Sequence, residues 1–520
     1  MLTIAPYTRD LVLIGGGHAH ALVLKAWGMD PLPGARVTVI NPGPTAPYTG
    51  MLPGYVAGHY RRDELEIDLV RLCRHAGARL IYDKAVHINQ ALREVTLETR
   101  GPVAYDLASI DVGITAKLDI PGFSKYGIGA KPLDLYAKRW SIFLEQVLHG
   151  QATADVAVIG GGVAGCELAM AMAFALQSAG VSPRVTVIES GPTISVVGDK
   201  AKRLILTAMS DLGVVVKTSA KTVKITSNQV LLDGQEPVAA VFCVGAAGGS
   251  AHKWISQTNL PQLNGFIKIG SDLGVLGDEA LFAVGDCALM EVEPLPKAGV
   301  FAVRAAPILH HNIRMALSGG LRKKWRPQKN YLKLISLGGK SAVAEKFGFN
   351  LAGASLWRWK DWIDKSFMNR LSDLPKMVPP IETGELATGV AEMLATKPLC
   401  GGCGAKVGRG VLSAALKTIT QPSDDVVTGV GDDAAVLCQP NGNYQVISTD
   451  HLRGFIADPG QMSRIAAVHA LGDVWAMGAE PQVGLASIVL PQMSAELQKR
   501  TLLEITQVAT EVLNAAGAQL

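Results

Sequence analysis

The chain has 520 residues, 48% of them apolar and 18% charged, with a mean hydropathy of +0.24 and a formal net charge of +4. That is too long for one hydrophobic core and too apolar for a disordered chain, so two to four folded domains are expected. Lysines and arginines are scattered rather than striped, which argues against a nucleic-acid partner, and no apolar run approaches the roughly 20 residues that span a bilayer. Residues 1–10 lack the charged and apolar regions of a secretory signal. Seven cysteines, mostly isolated, fit a reducing cytoplasm better than a disulfide framework.

Leu11-Val12-Leu13-Ile14 reads as a buried parallel strand, and Gly15-Gly16-Gly17-His18-Ala19-His20 follows it into a helical pattern. Strand, glycine turn and helix together bring backbone N–H groups up to a pyrophosphate. His20 stands in the third glycine slot and is expected to loosen helix–strand packing. The next strand, Arg36 to Ile40, ends at Asn41, whose carboxamide can bond a ribose hydroxyl less strongly than an acid would. Gly15, Gly17 and Asn41 are therefore candidate FAD ligands.

Pro47-Tyr48-Thr49-Gly50-Met51-Leu52-Pro53-Gly54 comes next. It holds no cysteine pair where the disulfide-reductase branch of two-dinucleotide flavoproteins carries one. Electrons are then expected to pass directly from flavin to acceptor.

Asp155 to Ile159 is a second strand, followed by Gly160, Gly162 and Gly165 at full GxGxxG spacing and an apolar helix. The strand Arg184 to Ile188 ends at Glu189. A carboxylate there accepts from a ribose 2′-hydroxyl and repels a 2′-phosphate, which favours NADH over NADPH. Further on, Leu281 to Val284 runs into Gly285-Asp286, which resembles the flavoprotein segment whose aspartate holds the ribityl chain of FAD, and Pro296-Lys297-Ala298-Gly299-Val300 opens a helix whose N-terminus favours negative charge on a reduced flavin. The order implies an FAD domain split by an inserted NAD domain. These segments, with the Tyr-Thr-Gly-Met-Leu-Pro-Gly string, resemble the NADH dehydrogenase-like flavoproteins sometimes fused to a selenium enzyme.

Trp325, Trp357, Trp359 and Trp362 crowd a short basic tail. It reads either as a membrane-surface contact that brings quinone to the flavin, or as a homodimer interface or cap; the second is favoured because no long amphipathic helix is visible. Leu374 to Pro380 breaks the pattern and marks a boundary. Glu382 to Ala395 reads as a short helix.

Cys400-Gly401-Gly402-Cys403-Gly404-Ala405-Lys406 follows. Zinc is disfavoured because no second CxxC follows, and a thioredoxin-like pair is disfavoured by the glycine-rich flanks. Downstream lie Gly431-Asp432-Asp433-Ala434 and Ser448-Thr449-Asp450, with carboxylates at strand ends suited to Mg²⁺ and ATP. Together these motifs resemble the start of a selenide, water dikinase (selenophosphate synthase). The resemblance implies Cys403 as nucleophile or selenium carrier, Lys406 as phosphate partner, and Asp432, Asp433 and Asp450 as metal ligands. The sequence departs from the dikinases at Ala405, at His469, where they usually carry Asn, and at Glu480. It covers only their N-terminal part.

The expected fold class is α/β: two nested Rossmann-like domains binding FAD and NAD, then an α+β ATP-binding domain resembling the aminoimidazole ribonucleotide synthetase/selenophosphate synthase superfamily. The expected division is 1–115 with 250–320 for FAD, 116–249 for NAD, 321–372 for a cap, 373–397 for a linker and 398–520 for the incomplete dikinase part. The expected function is an FAD-dependent NADH oxidoreductase fused to a dikinase in selenium assimilation. Its partners would be NADH, ATP with Mg²⁺, and selenide or an oxidised selenium compound. The alternatives are an NADH:quinone oxidoreductase with an inactive C-terminal remnant, and a non-enzymatic nucleotide-binding scaffold. The expected location is cytoplasmic or peripheral to a membrane.

Overall fold

The computed structural model describes residues 5–116, 118–196, 198–291, 294–328, 330–346, 349–375, 409–416, 424–428, 432 and 434–520. Residues 382–395 and the cysteine loop with Cys403 and Lys406 lie outside the described residues, as does Asp433.

Two five-stranded parallel sheets dominate. In the first, the strand order is Leu281–Ala283, Leu107–Ile110, Arg9–Ile14, Ala35–Asn41, Arg79–Tyr82. In the second it is Gly127–Gly129, Phe242–Gly245, Asp155–Ile159, Arg184–Ile188, Val215–Lys217. Each sheet has at its centre the strand that precedes a glycine loop. Beyond their charged first residues, Arg9 and Asp10 in one and Asp155 in the other, these central strands are apolar, because both of their faces are buried. Helix His18–Met29 packs against helix Gly299–Ser318 over the first sheet, burying Ala19, Val23, Leu24 and Trp27. Helix Val163–Ser178 buries nine residues and has almost no polar face, because the second sheet and the strand Lys333–Ser336 enclose it.

His20 does not loosen the first unit. Its ring is fully buried, with Nδ1 2.7 Å from the Gly15 carbonyl oxygen and Nε2 2.8 Å from Ser109 Oγ. These two hydrogen bonds tie the helix to two neighbouring strand ends where the second unit instead uses close contact at Gly165. Burial holds the ring neutral, with its pKa lowered to about 4.

Helix Ala354–Ser372 is a second departure from the sequence reading, which saw no long helix here. Its inner face is Trp357, Lys360, Asp364, Phe367 and Leu371. Lys360 and Asp364 interrupt what would otherwise be a visible apolar stripe. Trp359 and Trp362 are 45% and 65% exposed on the other side.

The C-terminal residues form a three-stranded antiparallel sheet, Val426–Thr428, Ala435–Cys438 and Tyr444–Ile447, with helices Pro459–Ala476 and Ala495–Ala515 packed on each other through Leu471, Val512 and Leu513. This part docks on the amino ends of the first sheet. Tyr7 N–H donates to the Gln492 carbonyl at 3.0 Å, and Ser494 N–H donates to the Tyr7 carbonyl at 2.8 Å. Arg36 bridges Asp10 and Thr501, while Arg500 reaches Asp10 and Asp106. Arg79 and Arg100 both bond Glu504, and both lie beside Asp458, which also caps helix Pro459–Ala476 through Gly460 N–H at 3.0 Å. Asp458 is held below the usual carboxylate range: burial pushes it up, but Arg79, Arg100 and the cap more than offset this.

The side chains of Arg79 and Asp458 are 6% and 2% exposed. Arg79→Ala leaves that carboxylate buried with one guanidinium instead of two, which is expected to weaken docking by about 3 kcal/mol. Limited proteolysis should then cut helix Ala495–Ala515 faster. Unchanged cleavage and an unchanged thermal midpoint would show that the network does not hold the C-terminal part in place.

Candidate functional site

In a parallel sheet all strands end on the same edge, and ligands bind beyond that edge where the strand order reverses. The first sheet reverses at the central strand Arg9–Ile14. Reading across its carboxyl edge, the residues beyond each strand are Gly285-Asp286, Asp111, Gly15 to Gly17, Asn41 and Asp83. All of them line one cavity of about 570 Å³. Five strands about 4.8 Å apart make this edge roughly 19 Å long, so the cavity suits an elongated ligand. Its remaining walls come from Ala46, Pro47 and Thr49, from Lys131, and from Gly299 and Ala302 at the start of helix Gly299–Ser318.

The glycines are dictated by crowding around Asp111. A Cβ on Gly15, where φ is +89°, would lie 2.4 Å from the Asp111 carbonyl oxygen. One on Gly17 would lie 2.3 Å from the Asp111 carboxyl carbon, and one on Gly285 2.6 Å from Asp111 Oδ1. The Asp111 carboxylate accepts from Ala19 N–H at 3.0 Å and His20 N–H at 3.2 Å, at the N-terminus of the first helix. Burial pushes it up to about 7, against these N–H groups and with Asp286 nearby. Asp286 is paired with Lys131 at 2.9 Å. His18, also on the cavity wall, is kept neutral by burial, its pKa lowered to about 4.

The two dinucleotide loops are built alike. Gly16 N–H donates to Asn41 Oδ1 at 3.0 Å, and Gly161 N–H donates to Glu189 Oε2 at 2.8 Å. The residue closing the second strand thus grips the middle glycine in both units. Glu189 Oε1 also accepts from Gly191 N–H at 2.7 Å. Gly160 has φ +111°, and a Cβ on it would meet the Ala247 nitrogen at 2.5 Å; a Cβ on Gly165 would meet the Gly160 oxygen at 1.9 Å. Gly162 precedes helix Val163–Ser178 as its N-cap.

Lys297 stands apart from the main cavity. Its ammonium donates to the Ala288 carbonyl at 2.7 Å and lies 4.1 Å from the centroid of Phe266, beside Asp286 on a smaller adjoining pocket. Burial lowers its pKa, against the pull of Asp286.

A buried polar chain that sequence reasoning missed runs from the cavity to helix Ala354–Ser372. The rings of His18, Tyr48 and Phe367 cluster with centroids 4.8 to 5.9 Å apart. Tyr48 Oη donates to Asp364 at 2.9 Å, and Lys360 Nζ donates to Asp364 at 2.6 Å and to the Gly50 carbonyl at 2.9 Å. Glu167, two residues past Gly165, accepts from Ser336 N–H at 2.7 Å and is pushed up to about 7 by burial, with Lys360 opposing. The Lys360/Asp364 spacing of four on a helix was the available signal. Asp111 and Lys131 carried none, because only the folded sheets bring them to the cavity.

In the C-terminal part, Asp450 follows the strand Tyr444–Ile447 and lies 2.8 Å from His469 Nδ1 on helix Pro459–Ala476. Asp432 is exposed, beside the strand Ala435–Cys438.

Residues 9–306 match the family model for pyridine nucleotide-disulphide oxidoreductases. The chain belongs to the pyridine nucleotide-disulphide oxidoreductase family. It is thus an FAD- and NADH-binding oxidoreductase by family, and the glycine cradle around Asp111 fits a dinucleotide. Residues 431–520 match the N-terminal domain of AIR synthase related proteins. The NADH dehydrogenase-like protein YutJ of Bacillus subtilis is 24% identical over 294 residues, which is 55% of this chain and 78% of the relative. A selenide, water dikinase of Burkholderia orbicola is 42% identical over 95 residues, 18% of this chain. The chain spans 27% of that dikinase's length. Among solved structures, NDH2 of Plasmodium falciparum in complex with NADH shares the fold, with a TM-score of 0.60 at 14% identity over 71% of this chain and 99% of that one. An oxidoreductase of this disulphide-named family would ordinarily suggest paired thiols at the flavin. Here Cys73, Cys166, Cys243 and Cys287 are buried and free, and no disulfide occurs among the described residues.

Asp111 gives a pH signature. The unfolded chain releases this proton near the ordinary aspartate value of about 4, whereas the folded chain keeps it to about 7. The folded state binds more protons across that window, so stability is lost as pH rises through it. Asp111→Asn removes the loss. Its advantage in thermal midpoint over the unsubstituted FAD-free protein should grow from about pH 5 to about pH 8, and a pH-independent difference would contradict the assignment.

Proposed function

We propose that the chain couples NADH oxidation through FAD to selenium assimilation, with its C-terminal part the ATP-binding lead of a selenide, water dikinase. The observation that carries the first half is the matched pair of loops, Gly16 with Asn41 and Gly161 with Glu189. The second half rests on the likeness of residues 431–520 to the dikinases. In a complete dikinase, ATP, selenide and water would give selenophosphate, AMP and phosphate.

When bound, FAD would supply the two-electron chemistry between NADH and the acceptor. The chain's own residues orient and tune it. Gly15, Gly17 and Asn41 line the pyrophosphate and ribose path, and Gly285 and Asp286 the ribityl path. Lys131 neutralises Asp286. The N-terminus of helix Gly299–Ser318 favours negative charge, and Lys297 stands just ahead of it, bonded to the Ala288 carbonyl beside Asp286. Gly160, Gly162, Gly165 and Glu189 hold NADH. Tyr48, Asp364, Lys360 and Glu167 form a chain of exchangeable protons on the acceptor side. In the dikinase part, Cys403 carries selenium or attacks as a thiolate, Lys406 faces phosphate, and Asp432, Asp433 and Asp450 hold the metal of the nucleotide. The domain division follows the same reading: FAD domain 1–115 and 250–320, NAD domain 116–249, cap 321–372, linker 373–397 and dikinase part 398–520.

A second reading has one observation in its favour. Exposed Trp359 and Trp362 lie on the helix whose inner face carries the acceptor-side chain. A membrane-surface contact there would bring quinone to the flavin, and a homodimer would instead cover these rings. Among the described residues no helix is long and apolar enough to cross a membrane.

NADH oxidation by the purified protein, followed with a quinone and with an oxidised selenium compound as acceptors, separates the two. The proposal expects the selenium compound to be the faster acceptor, NADH to outpace NADPH, and Glu189→Ala to cost on the order of 1.5–3 kcal/mol in NADH use. Cys403→Ser should leave NADH oxidation intact. Turnover with quinone alone would favour the second reading, and no turnover with either would leave only a nucleotide-binding scaffold.

A further inference from the structure

The two dinucleotide loops correspond residue by residue up to one point. Gly15 N–H donates to the Ile40 carbonyl and Gly160 N–H to the Ile188 carbonyl, while Asp111 N–H donates to the Ile14 carbonyl and Ala246 N–H to the Ile159 carbonyl, all at 2.8 Å. Asp111 and Ala246 therefore hold the same place, each against its own glycine loop. In the second unit the methyl group of Ala246 leaves the helix terminus open. Val163, Ala164 and Gly165, the first three residues of helix Val163–Ser178, have N–H groups with no partner among the described residues. Such groups are what a pyrophosphate bonds. In the first unit the corresponding N–H groups of Ala19 and His20 already donate to Asp111 Oδ2, at 3.0 and 3.2 Å. Of these three, only His18 N–H has no partner among the described residues. Asp111 is 4% exposed and lines the cavity with Gly15, Gly16 and Gly17. The anion seat of the first helix is thus filled by the chain's own acid.

We propose that the chain takes up FAD together with one proton, which neutralises Asp111 so that the pyrophosphate can share the helix terminus with it. The inference rests on the FAD reading above and adds to it a proton as co-ligand. A carboxylate and a pyrophosphate on one helix terminus repel, and the weaker acid, Asp111, takes the proton that relieves this. Its carboxyl group then becomes an O–H donor without leaving its place. Swinging aside is barred by the backbone around it: a Cβ on Gly17 would lie 2.3 Å from the carboxyl carbon, and one on Gly285 2.6 Å from Oδ1. The surrounding groups leave the proton to Asp111. On the helix beside it, His18 and His20 are kept neutral by burial, with pKa values lowered to about 4. Beyond the neighbouring strand, Asp286 is paired with Lys131 at 2.9 Å, and burial pushes the Cys287 thiol up to about 12. Lys297 bonds the Ala288 carbonyl, and His252 lies 3.0 Å from the Val112 carbonyl through Nε2. Asp111 itself is pushed up to about 7 by burial, so above neutral pH the FAD-free protein holds it ionised and binding must bring the proton in.

The test titrates the FAD-free full chain with FAD in a calorimeter, in buffers of low and high ionisation enthalpy. Proton uptake should approach one per FAD at about pH 8 and fall to near zero at about pH 5.5. The FAD Kd should rise about tenfold or more between about pH 6 and about pH 8.5. Asp111→Asn cannot ionise and keeps an oxygen for the Ala19 and His20 N–H groups. It should bind FAD without proton uptake and with an affinity that does not fall over this range. The uptake is read on the unsubstituted protein, so it decides the matter even where the variant folds poorly. Equally tight binding at both ends of the range with no uptake, or uptake that persists in Asp111→Asn, would overturn the proposal and leave the FAD reading standing. Absence of FAD binding at every pH would overturn both.

Discussion

Everything on the cofactor side depends on how closely the first glycine loop approaches Asp111. The Leu107–Ile110 strand pairs beside the central strand, so its next residue arrives against the loop, and only backbone fits between them. That contact brings Asp111 under the N-terminus of the first helix and presses Gly285 against the same carboxylate. One aspartate thus determines where three glycines must stand. The second sheet achieves the same closeness between Gly160, Gly165 and Ala247 with no carboxylate at that point. The two units share an architecture but differ in electrostatics: the first keeps a carboxyl of raised pKa at its helix terminus, while the second leaves its terminus to the ligand.

Docking of the C-terminal part uses the opposite edge of the same sheet. Asp10, Arg36 and Arg79 stand at the amino ends of their strands, and Asp106 just precedes its own. With strands of four to seven residues rising about 3.3 Å each, that edge lies roughly 13 to 23 Å from the cavity edge. The ion network secures the C-terminal part from that edge, and its Arg100 also donates a backbone N–H to Asp83 on the cavity wall.

Much of this was legible in local sequence. A glycine loop between an apolar strand and a helix is a local device, and so are the acids or amides closing the second strands. Gly15, Gly17, Asn41, Gly285 and Asp286 consequently lie on one cavity wall, and Glu189 sits on its loop. What could not be read depends on partners distant in sequence. His20 breaks the glycine rule, yet Ser109 from another strand compensates it. Lys131 reaches Asp286 across 155 residues of sequence. Lys360 and Asp364 disguised their helix because their polarity erased the stripe that would have announced it, and the same two residues build the buried polar chain to Tyr48.

In the proposed route, electrons pass from NADH to the flavin and on to the acceptor without a protein disulfide. Anaerobic titration of the purified protein with NADH, followed by the flavin absorbance, tests this directly. A single equivalent of NADH per flavin should bleach it completely. A requirement for two equivalents would reveal a thiol pair taking up a second pair of electrons, and a flavin that NADH does not bleach would contradict the assignment of the second loop to NADH.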